Sequence, residues 1–196
     1  MKYKLNLCMI ALILIFAGAN KAQAQDFAIK TNLLYDATAT VNAGVEVGLA
    51  PKWTLDLSGN YNAWSKNEQV KWKHWMFQPE ARYWFCDRFS RHFIGFHAIG
   101  GQYNIAGIKN NINFLGTPFK NFSDNRYQGW AAGAGIAYGY AFILGKHWNL
   151  ELEIGVGYAY FNYDVFSCSG CGRNIGASDH HYFGPTKAAV NLVYLF

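Results

Sequence analysis

The feature that most constrains this chain is an alternation of apolar and polar residues at every second position. Between Trp148 and Tyr160 one row is aromatic or aliphatic, and the intervening row is Asn149, Glu151, Glu153, two glycines and an alanine. A period of two residues places the two rows on opposite faces of a β-strand. The segment therefore predicts a strand with one apolar face and one polar face.

Seven other segments show this alternation, most clearly at residues 53–61, 75–85 and 130–142. The predicted strands cover residues 27–36, 41–49, 53–61, 75–85, 92–103, 130–142, 148–160 and 182–196. An even number of antiparallel strands brings both ends of the chain to the same side of a sheet. The sequence thus predicts an all-β fold with eight strands.

The connections between the predicted strands alternate in length. Short polar turns follow the second, fourth and sixth strands, at residues 51–52, 86–91 and 145–147. Longer segments follow the third, fifth and seventh strands, at residues 65–73, 105–126 and 164–181, whereas the first connection, near residues 38–40, is short. Short turns on one side and long loops on the other are typical of outer-membrane barrels, with both termini in the periplasm.

Large aromatic residues lie at both ends of the predicted strands. Those beside the short turns are Trp53, Phe85, Phe142, Trp148 and Phe196. Those beside the long loops are Tyr61, Trp75, Trp130, Tyr160 and Tyr182. Two aromatic girdles at the two membrane interfaces would have this layout.

Residues 1–24 have the layout of a cleaved secretory signal. Two lysines precede an apolar run at residues 5–19, and the small residues Ala22 and Ala24 follow it. The run is shorter than the roughly 20 residues that a spanning helix needs. We therefore expect residues 1–24 to be a signal peptide and residues 25–196 to form one domain.

Removal of the signal changes the charge balance. Lys2, Lys4 and Lys21 leave with it, so the 17 basic side chains fall by three to 14, against 12 acidic ones. A nearly neutral mature chain argues against a nucleic-acid partner.

The two-faced strands admit two arrangements. A secreted or periplasmic soluble barrel would hold the apolar faces inside, around an apolar ligand, and would show the polar faces to water. The polar faces here contain many Gly and Ala and few charges, whereas a soluble exterior would carry more Lys and Glu. Because a closed ring also removes unpaired strand edges, which hydrocarbon penalises, we predict an eight-stranded antiparallel up-and-down transmembrane β-barrel.

Three segments carry a family resemblance: residues 29–37, 42–49 and 53–58. They resemble those of an uncharacterised Bacteroidetes family of small outer-membrane β-barrel proteins, often linked to fimbrial gene neighbourhoods. The resemblance implies an outer-membrane location and a fimbrial or other envelope protein as partner. It implies no catalytic residues.

The end of the chain is similar to the signal that the outer-membrane assembly machinery recognises. Phe196 is terminal, and Tyr194 continues the alternate row of apolar residues before it. We predict that Tyr194 and Phe196 form this assembly signal. The alternative is an ordinary last strand.

The polar faces direct eight charged side chains toward a shared barrel interior. They are Lys30, Glu46, Asp56, Glu80, Arg82, Glu151, Glu153 and Lys187. An eight-stranded barrel is just wide enough for side chains to fill it, and an unpaired buried charge is costly. We therefore expect these residues to form an interior ionic network that plugs the barrel, with a narrow channel or proton path as the alternative.

Two cysteines, Cys168 and Cys171, lie close together in the last long connection. In an exported protein this spacing favours a loop disulfide, while a metal site with His180 and His181, or free thiols, are alternatives. Cys86 would remain outside such a bridge. We predict no bound metal and no cofactor.

Candidates for catalysis are few. Ser178, Asp179, His180 and His181 are adjacent in sequence, but a catalytic triad is defined by geometry rather than by adjacency. We therefore predict a non-enzymatic protein with a structural or surface-docking role. Its expected partners are outer-membrane lipid, the assembly machinery and an envelope protein such as a fimbrial component.

Overall fold

The computed structural model describes residues 26–65, 70–107, 113–114, 117–118, 125–167 and 172–196. The predicted signal segment, Cys168 and Cys171 lie outside these residues. Among the residues described, no helix combines the length and the hydropathy that crossing a membrane would require.

The described chain is built almost entirely from β-strands. In chain order they are β1 (Phe27–Asn32), β2 (Val41–Ala50), β3 (Trp53–Ser65), β4 (Lys71–Trp84), β5 (Arg91–Ala106), β6 (Asn113–Phe114), β7 (Thr117–Pro118), β8 (Arg126–Ile143), β9 (Trp148–Phe166) and β10 (Asn174–Leu195). One short helix, α1 (Leu33–Ala37), follows β1. β6 and β7 form a separate two-stranded antiparallel sheet within the connection from β5 to β8.

The eight long strands form a closed ring in which every pair of neighbours is antiparallel. β1 closes the ring by pairing with β10, from Ala28 opposite Leu195 to Asn32 opposite Asn191. The remaining neighbours follow chain order, because each turn returns the chain beside the strand that it has just left. This confirms the prediction of an all-β, eight-stranded antiparallel up-and-down barrel.

The apolar rows of the strands face outward and the polar rows face inward. On β9, the residues Leu152 and Ile154 are 43% and 62% exposed, whereas Glu151 and Glu153 are 0% and 6% exposed. The same inversion holds on β3, where Asp56 is buried and Trp53 is exposed. Because of this two-residue period, the barrel has an apolar outer surface and a charged interior.

β1 ends earlier than the sequence predicts. The Asn32 side chain accepts a hydrogen bond from the Leu34 amide at 3.1 Å and so caps α1. An asparagine in extended conformation that binds the second amide after it is a helix N-cap. The predicted strand over residues 27–36 is therefore wrong beyond Asn32.

The last predicted long connection, at residues 164–181, is mostly strand. β9 and β10 continue as a paired hairpin as far as Phe166 opposite Asn174. A bulge at Thr186, between Pro185 and Lys187, shifts the alternation in β10. Because of this shift Tyr182 lies beside Phe161, with ring centroids 6.5 Å apart, and Phe183 takes the exposed position that the girdle prediction gave to Tyr182.

The other aromatic residues at the strand ends face outward near the turns. Near the short turns the exposed ones include Trp53, Phe85, Phe142, Trp148 and Phe196. Near the opposite rim they include Tyr61, Trp75 and Trp130.

Candidate functional site in the charged interior

The predicted interior charges come from six strands, and the strand register brings several of them level. Glu46 lies opposite Asp56, and Asp56 in turn lies opposite Glu80. Three carboxylates side by side on β2, β3 and β4 would repel one another. The arrangement therefore requires basic groups that project into the same layer.

Arg82 supplies the central positive charge of this layer. Its guanidinium contacts five carboxylates at 2.5 to 3.0 Å, those of Glu80, Glu46, Glu153, Asp56 and Glu151. Arg82 is fully buried. A planar guanidinium with five N–H donors suits such a position better than an ammonium, because it can serve several acceptors in fixed directions.

Two lysines complete the network from the sides. Lys30 contacts Glu46, and its Nζ atom lies 3.4 Å from both Asp56 and Glu151. Lys187 contacts Glu80 at 2.6 Å and Glu153 at 3.0 Å. The structure thus brings all eight predicted residues into one connected set of ion pairs, and none is more than 8% exposed.

Carboxyl groups outnumber Lys and Arg side chains within this ionic layer. Three basic side chains, Lys30, Arg82 and Lys187, face five carboxylates. Three carboxylate oxygens, Asp56 Oδ1, Glu151 Oε1 and Glu153 Oε1, have no hydrogen-bond partner within the described residues, although Glu153 Oε1 lies 3.0 Å from Lys187 Nζ. These oxygens therefore retain capacity for further hydrogen-bond donors.

An aromatic floor closes the barrel below the ionic layer, on the side of the short turns. It consists of Trp84, Phe89 and Phe93, which are buried with Ala28, Ala141, Val193 and Leu195. The rings of Trp84 and Phe93 lie 4.7 Å apart, and the Arg82 guanidinium lies 4.5 Å above the Phe93 ring. The charged layer thus stacks directly on an apolar one through a cation–π contact.

Free space lies above the ionic layer. A small cavity next to Lys30, Asp56 and Lys187 has a volume of about 20 Å³. That is room for about one water molecule. A larger cavity of about 440 Å³ lies toward the long-loop rim, beside His74, Tyr103 and Asp164. The filled layers and the small cavity favour a plug over an open pore.

The structure assigns positions to several other predicted residues. Phe196 donates its amide to the Phe27 carbonyl at 3.0 Å, and the Tyr194 ring packs on Trp148, with centroids 5.0 Å apart. Cys86 is an exposed free cysteine in the turn after β4. In the part of the chain that the structure describes, no cluster of three or more His, Cys, Asp or Glu could hold a metal ion.

The residues considered for catalysis lie on β10 rather than in a loop. His181 binds the Tyr158 hydroxyl through Nδ1, and its Nε2 lies 3.4 Å from Asp179. His181 and Asp179 are both largely exposed on the outer face. The hydroxyl that His181 contacts is therefore the phenol of Tyr158 on the outer surface of the barrel, and not the serine hydroxyl that a catalytic triad would use.

Sequence reasoning missed the aromatic floor and the role of Asn32. The alternation that places Tyr83 outside also places Trp84 in the inward row of β4, so the inward position of Trp84 could have been predicted. Phe93 occupies the inward row of β5 for the same reason. Asn32 gave only a weak signal, since its role depends on β10, which lies far away in the sequence.

The geometry defines a class: a closed eight-stranded antiparallel barrel with an apolar exterior and an interior filled by ion pairs. Over residues 10–196 the chain matches the family described as "Protein of unknown function (DUF3575)", and it belongs to this family. No curated protein matches it.

Proposed function

We propose that this protein is a non-enzymatic outer-membrane β-barrel that serves as a structural element of the envelope and as a base for surface docking. The observation that carries the proposal is the inverted arrangement of its faces. Exposed Leu152 and Ile154 alternate with buried Glu151 and Glu153. If lipid tails surround the barrel, the apolar row contacts lipid while the charged row stays inside, so both rows have favourable surroundings.

The barrel architecture supports the same proposal. In hydrocarbon each unsatisfied backbone group costs several kcal/mol, and a closed ring pairs most of them internally. The outward rows of all eight strands carry mainly aliphatic and aromatic side chains, whereas a soluble monomer rarely shows apolar patches beyond a few hundred Å². A secreted barrel that binds an apolar ligand would need these rows inside.

Membrane fractionation tests the proposed location. We expect the mature protein in the outer-membrane fraction, soluble only in detergent, and migrating differently on gels before and after boiling. Recovery of folded protein from the periplasm without detergent would contradict the proposal.

The filled interior supports a structural plug over a narrow channel. The Arg82 ion pairs and the floor formed by Trp84, Phe89 and Phe93 occupy successive layers across the barrel. We expect no large, stable conductance steps from the purified protein in planar bilayers. Such steps would favour the channel.

A fimbrial or other envelope partner is the docking part of the proposal. The family resemblance supports it, and so does the β9–β10 hairpin, which extends well beyond the end of β1. We expect an envelope protein to co-purify from native membranes and to be lost when residues 162–179 are replaced by a short turn. An unchanged set of co-purified proteins would contradict the docking role.

A further inference from the structure

The larger of the two cavities lies beside the long-loop ends of five strands. Its volume of about 440 Å³ falls within the range of pockets that hold small ligands, about 300–1,000 Å³. On β3, β4, β5 and β8 three consecutive residues line it, which are 61–63, 73–75, 102–104 and 128–130, and β9 adds Asp164. Because side chains alternate along a strand, the first and third residues of each segment face outward and the middle one faces inward.

The cavity lies on the outer face of these strands and not in the lumen. On the inner face the space at Gly129 is filled, because a Cβ atom there would lie 2.7 Å from the Cα atom and 2.8 Å from the Cβ atom of Tyr163. Tyr163 pairs with Gly129 across β8 and β9 but does not line the cavity, whereas Asp164, the next residue on the outer row, does. The cavity is therefore a groove on the outer surface, the rim groove, with strand backbone as its floor.

The strand register arranges the outward residues of the rim groove in two parallel rows. The lower row, nearer the short turns, contains Tyr61, Trp75, Gln102 and Trp130, each paired with the next across neighbouring strands. The upper row, nearer the long loops, contains Ala63, Lys73, Asn104, Gln128 and Asp164, paired in the same way. The rim groove runs between a mainly aromatic row and a mainly polar one.

The lower row belongs to the aromatic girdle on the long-loop side of the barrel. Tyr61, Trp75 and Trp130 are all exposed there. Such girdles mark the level of a membrane interface. The upper row lies two residues further along each strand, which is about 7 Å. Given the proposed outer-membrane location, the upper row lies level with the lipid headgroups of the outer leaflet.

The side chains of the rim groove combine aromatic faces with amide groups. Trp75 and Trp130 are 45% and 44% exposed and stand two strand spacings apart, about 10 Å, with Gln102 between them. Gln102 Oε1 accepts a hydrogen bond from the Trp75 indole at 3.2 Å, and Asn104 Nδ2 donates to Gln128 Oε1 at 3.3 Å. Flat apolar faces and groups that both donate and accept hydrogen bonds match the C–H faces and the hydroxyls of a sugar ring.

The charges in the lining favour a neutral head over an ionic one. The upper row carries one cation, Lys73 on β4, and one anion, Asp164 on β9. A cationic head would lie near the lysine and an anionic head near the aspartate. Sugar hydroxyls avoid both conflicts, because they can accept from the ammonium and donate to the carboxylate.

The outer wall directly beneath the rim groove is shallow. Below Gln102 and Trp130, the next two outward positions on β5 and β8 form a furrow of small residues, which are Gly100, Ala132, Ala98 and Ala134. A Cβ atom at Gly100 would meet no other atom within 4 Å. Phe77 on β4 and Tyr158 on β9, 46% and 45% exposed, stand on either side of the furrow. An acyl chain that descends from a head in the rim groove would fit this furrow.

We propose that the rim groove binds the sugar head of a glycolipid in the outer leaflet, with Trp75 and Trp130 against the sugar and an acyl chain in the furrow. A soluble glycan offers the same sugar chemistry, but the level of the rim groove at the girdle and the furrow beneath it favour a head that is linked to lipid. This proposal rests on the outer-membrane location proposed above.

The test compares two lipids that differ only in the head. The full mature barrel is incorporated into nanodiscs with equal amounts of digalactosyl diacylglycerol and phosphatidylcholine, which have the same acyl chains and no net charge. After transfer to a detergent without a sugar head, native mass spectrometry measures the retained lipid. We expect one glycolipid per barrel, about tenfold or more above phosphatidylcholine, which corresponds to about 1.4 kcal/mol. NMR should show the Gln102 side-chain amide signals shifted relative to nanodiscs of phosphatidylcholine alone.

Two matched variants locate the site. Trp130 is 44% exposed and packs on Tyr160 at 5.6 Å, whereas Trp148, in the opposite girdle, is 46% exposed and packs on Tyr194 at 5.0 Å. We expect Trp130→Leu to lose the retained glycolipid and Trp148→Leu to keep it. If Trp130→Leu fails to fold, as judged by its gel shift on boiling, Gln102→Leu removes the central amide of the rim groove and should have the same effect.

Three outcomes would overturn the site. Equal retention of the two lipids would show that the rim groove does not recognise sugar, and equal retention of glycolipid by the two tryptophan variants would place it elsewhere. A shift of the Gln102 signals when free lactose, at the concentration of the glycolipid, is added to phosphatidylcholine nanodiscs would assign the groove to a soluble glycan. Failure of the outer-membrane proposal is separate, because the protein would then not fractionate with membranes or enter nanodiscs.

Discussion

Arg82 is the residue on which the interior ion pairs converge. It bridges carboxylates from β2, β3, β4 and β9, which lie far apart in sequence. Because all of these groups are buried, the loss of one shared cation leaves several negative charges facing one another. The stability of the barrel should therefore depend on this residue far more than on an exposed basic residue.

Replacement of Arg82 tests this dependence. We expect Arg82→Met to lower the free energy of unfolding by about 3–5 kcal/mol, the usual effect of removing one partner from a buried ion pair. Lys73→Met, which removes an exposed positive charge from the same strand, should change it by about 0.5 kcal/mol or less. Urea unfolding in detergent micelles measures both. Equal effects would contradict the central role of Arg82.

The aromatic floor sets a packing constraint at Gly139. A Cβ atom at this position would overlap the Phe93 ring, whereas one at Gly100 would meet no atom within 4 Å. We expect Gly139→Ala to destabilise the barrel by about 1–3 kcal/mol through overpacking, and Gly100→Ala to be neutral or slightly stabilising. Thermal unfolding of the two variants provides the comparison. A stable Gly139→Ala barrel would mean that the floor is loosely packed.

At the scale of elements, the seam between β1 and β10 departs most from a regular barrel. The seam depends on Asn32, whose side chain satisfies backbone groups of β10 and of α1 at once. The alternation in residues 27–36 fits a longer strand, and no local pattern in the sequence distinguishes a strand from the helix that follows Asn32. The cap becomes favourable only once β10 stands beside it.

Asn32→Leu tests the seam directly. Loss of its hydrogen bonds should destabilise the protein by about 1–3 kcal/mol, because three backbone groups lose their partner and each such bond contributes about 0.5–1.5 kcal/mol. The Val190 amide, which donates to Asn32, should exchange its hydrogen faster. Asn162→Leu, on the exposed face of β9, serves as the control and should leave this exchange unchanged. Unaltered exchange in Asn32→Leu would show that the seam is held by other contacts.

At the scale of the whole molecule, the inversion of the faces governs the behaviour of the protein. A charge added to the outer apolar row should be costly if that row contacts lipid, and nearly neutral if it contacts water. A comparison of charged substitutions at two depths on one strand can therefore distinguish lipid from water as the surroundings of the outer row.

Ile154→Lys makes that measurement. Near the middle of the outer row of β9 it should lower the stability in bilayers by about 2–4 kcal/mol, whereas Asn162→Lys, on the same row closer to the rim, should lower it by about 0–1 kcal/mol. Unfolding from lipid vesicles in guanidinium chloride measures the difference. Equal, small effects at the two positions would contradict lipid contact.

The alternation of residues by itself determined the class of fold, the number of long strands and which residues share a face, and the many Gly and Ala and few charges of the polar rows favoured placing those rows inside. A period of two acts within each strand, so it needs no knowledge of neighbours, and it placed Glu151 and Glu153 on one face from the start. Only the tertiary structure decided that Arg82 is the hub, that Trp84 and Phe93 form a floor, and that β1 stops at Asn32. These features depend on strand register, on a bulge and on contacts between the two ends of the chain. Such contacts exist only after the ring has closed.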